Sequence, residues 1–474
     1  MSIPLILASQ SRPRRDVLFS AGICPTIRVS HVDEPAALER EAAALGVTVN
    51  DLSVEQRVMI LATAKAEAVH QAYRNIADTA AHARGERVVG FPLRAADDRD
   101  ASSAGTAART DSAQSADETK TRDFSGIAIP TVAEPIADFV DGRPSLTRSK
   151  AGPLILGCDS MFLLDGECYG KPHSEEVARE RLRAMRGATG ELWTGHCLID
   201  FASGRMVRGA SKATLHFCEY SDLDIERYIA TGEPLEVAGS FTLEGFGGAF
   251  IDSIEGDPHG IIGLSLPLAR HLAGELGITW TDLWNVGRGE LEPESKASGN
   301  QHAGILPPVE NVHQPGDGWV DCACGRKHWG TNGASGILLA RRDPVSGKVT
   351  HVVMQHRAAW SAEGGTWGIP GGATADGESP IEGALRESYE EANITPEDIE
   401  VVGSYREDHG PWAYTTVFAF EKPGHTVEPK ANDDESMEIC WVPIDDVPNR
   451  KLLTAMKTDW PRFAARLDEL ATAQ

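Results

Sequence analysis

The sequence predicts an α/β protein of two domains, and three observations carry that prediction. Strand-type apolar runs alternate with helical segments in both halves, as they do in layered α/β folds. A stretch at 94–123 contains no Val, Ile, Leu, Met, Phe, Trp, Tyr or Cys, so it buries too little surface to offset its ordering entropy. A second weak region at 287–311, rich in Gly, Glu, Ser and Pro, has the composition of a linker. The expected organisation is an N-terminal domain over 1–285 with a long disordered insertion at about 85–150, a linker over 286–330, and a C-terminal domain over 331–474.

Taken in order, 4–7 is a short buried strand that leads through a Ser/Arg-rich turn into a helix ending near Gly22. Residues 54–73 read as a helix from their Ala-rich content and apolar spacing. The run 154–164 is of strand type, 175–185 is helical, and strands alternate with turns over 192–217. In the second domain, 336–339, 351–356 and 415–420 read as strands and 380–391 as a helix.

Composition narrows the function classes. Acidic residues outnumber basic ones by 70 to 45, a net charge of −25 that repels nucleic-acid phosphates and anionic membranes. Small anions remain open to such a chain through local Lys/Arg clusters, helix N-termini or bridging metal ions. Eight cysteines, mostly beside apolar runs, form no dense disulfide framework. The start lacks a basic region ahead of its short apolar run, and no stretch reaches the roughly 18 apolar residues of a membrane span. A cytoplasmic protein is expected.

The segment from Gly372 through Glu378 and Arg386 to Asn393 carries the strongest chemistry. Ser379, Pro380 and Glu382 make a capping box with proline at the first helical position. Glu387, Glu390 and Glu391 then fall at i, i+3 and i+4, on one helix face. Three adjacent carboxylates repel one another unless hard cations such as Mg²⁺ or Mn²⁺ sit between them, and such cations could grip a diphosphate. With Gly372, Glu378, Arg386-Glu387 and Glu390-Glu391 at these spacings, the segment resembles the Nudix hydrolase box. The resemblance implies an α/β/α sandwich that hydrolyses a nucleoside diphosphate linked to another moiety, with Glu387, Glu390 and Glu391 holding divalent metal. Ser388 stands where an apolar residue is usual, and Asn393 replaces the closing glycine, being the next best residue for a left-handed helix end. Arg357, Trp360, Trp367, Trp412 and Tyr414 could clamp a base or phosphates, or simply pack. Cys322, Cys324 and His328 form a C-x-C-x3-H cluster with three candidate ligands; two core cysteines and a surface histidine are favoured over a structural zinc.

A second constellation opens the chain. Ser9, Ser11, Arg12, Arg14 and Arg15 lie between a strand and a helix, where hydroxyls, free N–H groups and arginines can cradle a polyphosphate. Asp159 interrupts an apolar strand, and a buried carboxylate must be paired, metal-bound or catalytic. Lys65 sits in line with an apolar helix stripe, and Lys171 in a Gly-Lys-Pro turn. Together these positions resemble the Maf family of nucleoside triphosphate pyrophosphatases: Ser9, Ser11 and Arg14, then Asp33-Glu34, Lys65, Asp159, Gly170-Lys171-Pro172 and the block from Ala238 to Gly245. The resemblance covers about 1–284 apart from the insertion, and implies an inosine-triphosphatase-like α/β fold. It also implies water attack on the α-phosphate of a nucleoside triphosphate, releasing monophosphate and diphosphate. Glu34 and Asp159 would hold the cation, Asp159 would accept the proton, and Arg14, Lys65 and Lys171 would neutralise the triphosphate. Pro13, Ser160 and Glu244 depart from the common pattern; Glu244 would suit the N1–H and amino donors of guanine.

The function expected is therefore a bifunctional nucleotide-pool hydrolase, metal-dependent in both halves. The alternative is a nucleotide-sensing cell-division regulator whose Maf half is non-catalytic and whose Nudix half alone is active. Nucleotides are the expected partners, nucleic acid and membranes are not, and a homodimer stays open.

Overall fold

The computed structural model describes residues 2–90, 121–124, 127–130, 132–135, 152–286, 314–322, 324–361, 363–432 and 435–472. The chain divides into two compact units, one comprising Met1–Tyr73 with Leu146–Ser298 and the other Arg74–Ser145 with Gly299–Gln474.

In the first unit β1 (Leu5–Leu7) runs into α1 (Arg12–Ser20), β2 (Thr26–Ile27), α2 (Glu34–Leu45) and α3 (Val54–Ala81), whose first part, to Tyr73, belongs here. The predicted helix thus continues to Ala81, because Ile76 and Ala77 extend its apolar stripe. Four strands of the second unit come next in the chain: β3 (Glu86–Gly90), β4 (Thr121–Phe124), β5 (Ile127–Pro130) and β6 (Val132–Pro135). The first unit resumes with β7 (Leu154–Leu164), β8 (Glu167–Tyr169), α4 (Glu175–Met185), β9 (Thr189–Asp200), β10 (Met206–Phe217), α5 (Asp222–Ile229), β11 (Ile251–Gly256), α6 (Pro258–Ile262) and α7 (Leu266–Glu275). Its sheet has the order β11-β10-β9-β7-β1-β2, with β8 on β7. β7 pairs parallel with β1 and antiparallel with β9, so it is central and is buried along its first six residues. Gly157 in β7 lets α3 lie directly on the sheet: a Cβ there would stand 2.1 Å from the Ala62 carbonyl oxygen. That close approach brings Lys65, one turn further along α3, beside Asp159. Phe162 anchors the far half of the core, edge-on to Phe217 and Phe241 at 5.9 and 5.2 Å.

In the second unit β12 (Trp319–Asp321) and β13 (Lys327–Trp329) form a hairpin. β14 (Ala334–Arg342), β15 (Val349–Arg357), β16 (Trp367–Gly368), β17 (Gly371–Ala373), α8 (Pro380–Ala392), β18 (Ile399–Asp408), β19 (Ala413–Glu421), β20 (Ser436–Pro443) and α9 (Thr454–Thr472) follow. The sheet runs β16-β15-β14-β19-β18-β3-β6, with β17 on β14 and β20 on β15. Strand alternation splits its side chains into two layers. Ile337, Leu339, Val353 and Val417 pack against Ile381, Ala384 and Leu385 of α8. Leu338, Val352, Met354 and Phe418 pack against Trp460, Phe463 and Leu467 of α9. This is the α/β/α sandwich expected.

Two parts differ from the sequence reading. The insertion read at about 85–150 within the first domain falls, up to Ser145, in the segment 74–145 that groups with the second unit, where β3 pairs parallel with β18 and antiparallel with β6. The apolar residues Val88, Ile127, Ile129 and Val132 that flank the apolar-poor stretch permit these strands. Of the disorder expected at 94–123, residues 94–120 lie outside the described residues, while 121–123 belong to the β4–β5 pair. The linker read at 286–330 lies outside the described residues over 287–313, but 314–330 contains the β12–β13 hairpin, held in part by Gly316–Thr331 and Gly318–Gly330 backbone bonds.

Candidate active sites

In the first unit the turn after β1 is closed by its own hydroxyls. Ser9 Oγ accepts from the Ser11 N–H at 3.2 Å, and Ser11 is the N-cap of α1, its hydroxyl accepting from the Arg14 N–H at 3.5 Å. Pro13 sits in the first helical turn, where a missing N–H costs nothing. Arg14 reaches back across the sheet, donating to Ser9 Oγ at 3.0 Å, the Cys158 carbonyl at 2.9 Å, the Gly263 carbonyl at 2.9 Å and Ser160 Oγ at 3.1 Å. Ser160 in turn meets Thr194 Oγ1 at 2.8 Å, which donates to the Gly260 carbonyl at 2.7 Å.

Beside this network lies the charged cluster. Asp33 caps α2 by accepting from the Ala36 N–H at 3.0 Å, which sets Glu34 as the first helical residue. Lys65 Nζ is 2.8 Å from Glu34 Oε1 and 2.6 Å from Asp159 Oδ1. Burial pulls against the Lys65 ammonium, but Asp159 and Glu34 outweigh it and hold its pKa above the usual lysine value. Burial pushes the Asp159 carboxyl above the usual carboxylate range, opposed by Lys65 and Arg14. Lys171 lies exposed between β8 and α4, and Glu244 lies exposed between Phe241 and the turn at Phe246–Phe250, so neither is part of the buried cluster.

The sequence reading missed Thr194 and His196. His196 is fully buried, accepts from the Ser265 N–H at 2.8 Å through Nε2 and faces the Thr194 carbonyl at 3.1 Å through Nδ1. Burial lowers its pKa to about 4, so the ring is neutral. The signal that could have found them is their i, i+2 spacing in one strand, which puts both polar side chains on one face of a buried sheet.

In the second unit the capping box forms as read: Ser379 Oγ accepts from the Glu382 N–H at 3.3 Å and Glu382 Oε2 from the Ser379 N–H at 2.8 Å. Asn393 ends α8 at φ 55° and ψ 33°, the left-handed conformation expected. Ser388 is fully buried and donates to the Leu385 carbonyl at 2.9 Å, so its hydroxyl is satisfied within the helix. Arg386 is the hub: it donates to Glu378 Oε1 at 2.7 Å, Glu387 Oε1 at 2.6 Å, Glu390 Oε2 at 3.2 Å and the Ala373 carbonyl at 2.8 Å. Burial opposes its charge, but Glu378, Glu387 and Glu390 together keep the guanidinium protonated. Glu391 accepts from the Gly371 N–H and from Gln355 Nε2, both at 3.3 Å. Gly372 is required by proximity, since a Cβ there would lie 2.8 Å from the Glu387 carboxyl carbon. Of the aromatic candidates, Trp367 stacks on His356 at 4.6 Å and Trp412 on His328 at 4.1 Å, and both are largely buried. Tyr414 is pushed up by burial, opposed by Arg357 and helped by Glu391 and Glu387.

Comparison with known proteins finds two families along the chain, and the match to the first runs through the segment 74–145 that groups with the second unit. Residues 4–276 match the family model described as Maf-like protein, and residues 332–464 the NUDIX domain. The chain is 83% identical over 482 residues to a protein of Bifidobacterium longum (strain NCC 2705) named nucleoside triphosphate pyrophosphatase/Nudix hydrolase fusion protein, covering all of both. It is 38% identical over 287 residues to a nucleoside triphosphate pyrophosphatase of Nocardia farcinica (strain IFM 10152), covering 60% of this chain and 98% of that one. A crystal structure of a Nudix hydrolase from M. smegmatis, RenU, is 35% identical, covers 33% of this chain and 96% of its own, and has a TM-score of 0.29. The chain is thus an enzyme that belongs to the Maf-like family and carries a NUDIX domain on the same polypeptide.

Proposed function

We propose that the first unit hydrolyses nucleoside triphosphates to nucleoside monophosphate and diphosphate, and that the second hydrolyses a nucleoside diphosphate joined to another moiety. The observation that supports the first reading best is Lys65 held between Glu34 and Asp159, next to Arg14 at the start of α1. The names borne by the Bifidobacterium and Nocardia relatives agree with it.

Both donor sets fit a hard divalent cation, Mg²⁺ or Mn²⁺. In the second unit three carboxylates, Glu378, Glu387 and Glu390, pair with the buried guanidinium of Arg386, Glu391 meets the Gln355 side chain, and Gln355 Oε1 is buried with no hydrogen-bond partner among the described residues. Glu387, Glu390 and Glu391 would hold the ion there, as Glu34 and Asp159 would in the first unit. When bound, the cation supplies positive charge to phosphate oxygens and acidifies water.

The chain's own residues do the rest. In the first unit water oxygen bonds to the α-phosphorus, the bond from that phosphorus to the α,β-bridging oxygen breaks, and diphosphate leaves. Asp159 Oδ1 is occupied by Lys65, which leaves Oδ2 to accept the proton. Lys65, Arg14 and the exposed Lys171 offset the charge that gathers on the phosphates, and the hydroxyls of Ser9 and Ser11 hold the turn against them. Glu244 would accept from the N1–H and amino group of a guanine base. In the second unit Arg386 holds Glu387 and Glu390 in one orientation, so their charge is aligned before substrate arrives.

The test uses the full-length chain, because segment 74–145 ties the two units together in sequence and the chain does not divide at one cut. Products are separated after incubation with a nucleotide panel and Mg²⁺ or Mn²⁺. Asp159→Asn should lose diphosphate release while the second activity persists, and Glu390→Gln should do the reverse. Undiminished diphosphate release by Asp159→Asn would overturn the catalytic reading of the first unit in favour of nucleotide sensing or a scaffold.

A further inference from the structure

The β12–β13 hairpin has two strands of three residues each, and such an isolated hairpin is marginal in water without a further tie. Its turn carries Cys322 and Cys324, and its second strand carries His328. The structure adds a residue that sequence spacing could not supply: His409, in the turn between β18 and β19, 81 positions beyond His328. One ligand atom from each of Cys322, Cys324, His328 and His409 lies within 4.8 Å of every other. A tetrahedral zinc bound by two thiolates and two imidazoles sets ligand-to-ligand distances of roughly 3.3–3.8 Å, so closure asks for shifts of about 1 Å.

Four observations, each independent of the count of ligands, point the same way. His409 Nδ1 is buried and has no hydrogen-bond partner among the described residues, which is costly for a ring nitrogen unless something binds it. Its other nitrogen, Nε2, meets Glu407 Oε1 at 3.1 Å, the carboxylate–imidazole pairing that orients a metal-binding histidine. The Cys324 N–H donates to Cys322 Sγ at 3.5 Å, which suits a thiolate sulfur. Cys324 itself is exposed rather than in a core, and its Sγ stands 3.1 Å from His328 Nε2. The expectation of two core cysteines and a surface histidine is therefore corrected, since Cys322 and His328 are half-buried and only Cys324 faces solvent.

We infer that Cys322, Cys324, His328 and His409 form a structural zinc site that clips the β12–β13 hairpin to the β18–β19 turn. Trp412 completes the clip, stacking on His328 with an interplanar angle of 9° and donating from Nε1 to the Trp329 carbonyl at 2.9 Å. All four ligand types are borderline to soft, which favours zinc over the hard cations proposed for the glutamate cluster.

Metal content of the full-length protein, purified in the presence of zinc and washed with a weak chelator, tests this directly. About one zinc per chain is expected, with Cys322→Ser/Cys324→Ser falling to background. The Co²⁺-substituted wild type should show thiolate charge-transfer absorption that the double variant lacks, a signature that carboxylate-bound cobalt does not give. Glu407→Gln should keep the site but weaken zinc about tenfold. A readout that needs no variant is maleimide labelling of the exposed Cys324, slow in the zinc-loaded wild type and fast after a strong chelator. Wild type that holds no zinc, shows no thiolate band with Co²⁺ and labels at one rate throughout would overturn the site. Zinc retained equally by the double variant would overturn it too, by placing the metal elsewhere.

Discussion

Lys65 Nζ lies 2.6 Å from Asp159 Oδ1, although they are 94 positions apart in the chain and most of the intervening segment groups with the other unit. Both side chains are largely buried, so each depends on the other for its charge. Lys65→Met would leave Asp159 and Glu34 facing each other without the ammonium. Because breaking one side of a buried pair strands the other charge, the first unit should lose about 3 kcal/mol of stability at neutral pH. Urea unfolding followed at Trp193 and Trp280 fluorescence checks this, and Asp159→Asn should cost clearly less, since an amide can still accept from Lys65.

Asp159→Asn should nevertheless lower diphosphate release by about 10²–10⁴-fold, the usual contribution of a positioned proton acceptor. The change belongs in kcat. A rise in KM with kcat intact would mean that Asp159 only binds substrate or ion.

Gly372→Ala places a methyl 2.8 Å from the Glu387 carboxyl, which must swing away from Arg386. Activity of the second unit should fall at least about tenfold, because an angstrom of displacement in a positioned group costs that much or more. The first unit's activity serves as the internal control and should not change.

His196 gives the first unit a pH dependence whose sign is determined. Its folded pKa is lowered from 6.5 to about 4, so below 6.5 the unfolded chain takes up a proton that the folded chain refuses. The stability is whole above pH 6.5 and drains away as pH falls toward 4, by about 3 kcal/mol in all. His196→Gln should flatten this part of the curve of urea midpoint against pH, and an unaltered curve would assign the acid sensitivity to other groups.

At the end of α8, Asn393 holds a left-handed conformation at φ 55°. Asn393→Gly should be close to neutral, while Asn393→Ala should cost about 1 kcal/mol of stability in the second unit. Thermal melts of the three proteins distinguish these outcomes.

Much of the second site was legible because it is local. Ser379, Glu382, Arg386, Glu387, Glu390 and Glu391 lie on one helix, where a fixed rise and turn convert spacing directly into geometry. Read residue by residue, the first site was legible as isolated oddities, a carboxylate in a strand, a lysine on an apolar stripe and serines before a helix, which only the family resemblance joined into one site. Their meeting depends on β7 pairing with β1 and on α3 lying against Gly157, contacts between elements far apart in the chain.

The zinc cluster shows the boundary most plainly. Cys322, Cys324 and His328 are close in sequence and were read as an incomplete set, whereas His409 enters from another strand's end. Likewise Trp367 and Trp412, open to a substrate reading by composition, turn out to stack on histidines. Sequence alone thus determined the α/β class, the helix caps and the carboxylate face, because each follows from periodicity over a few residues. Tertiary structure decided which distant polar groups come into contact, which strands the 74–145 segment joins and which histidines Trp367 and Trp412 stack on. Those outcomes depend on long-range burial, and a spacing along the chain carries no information about it.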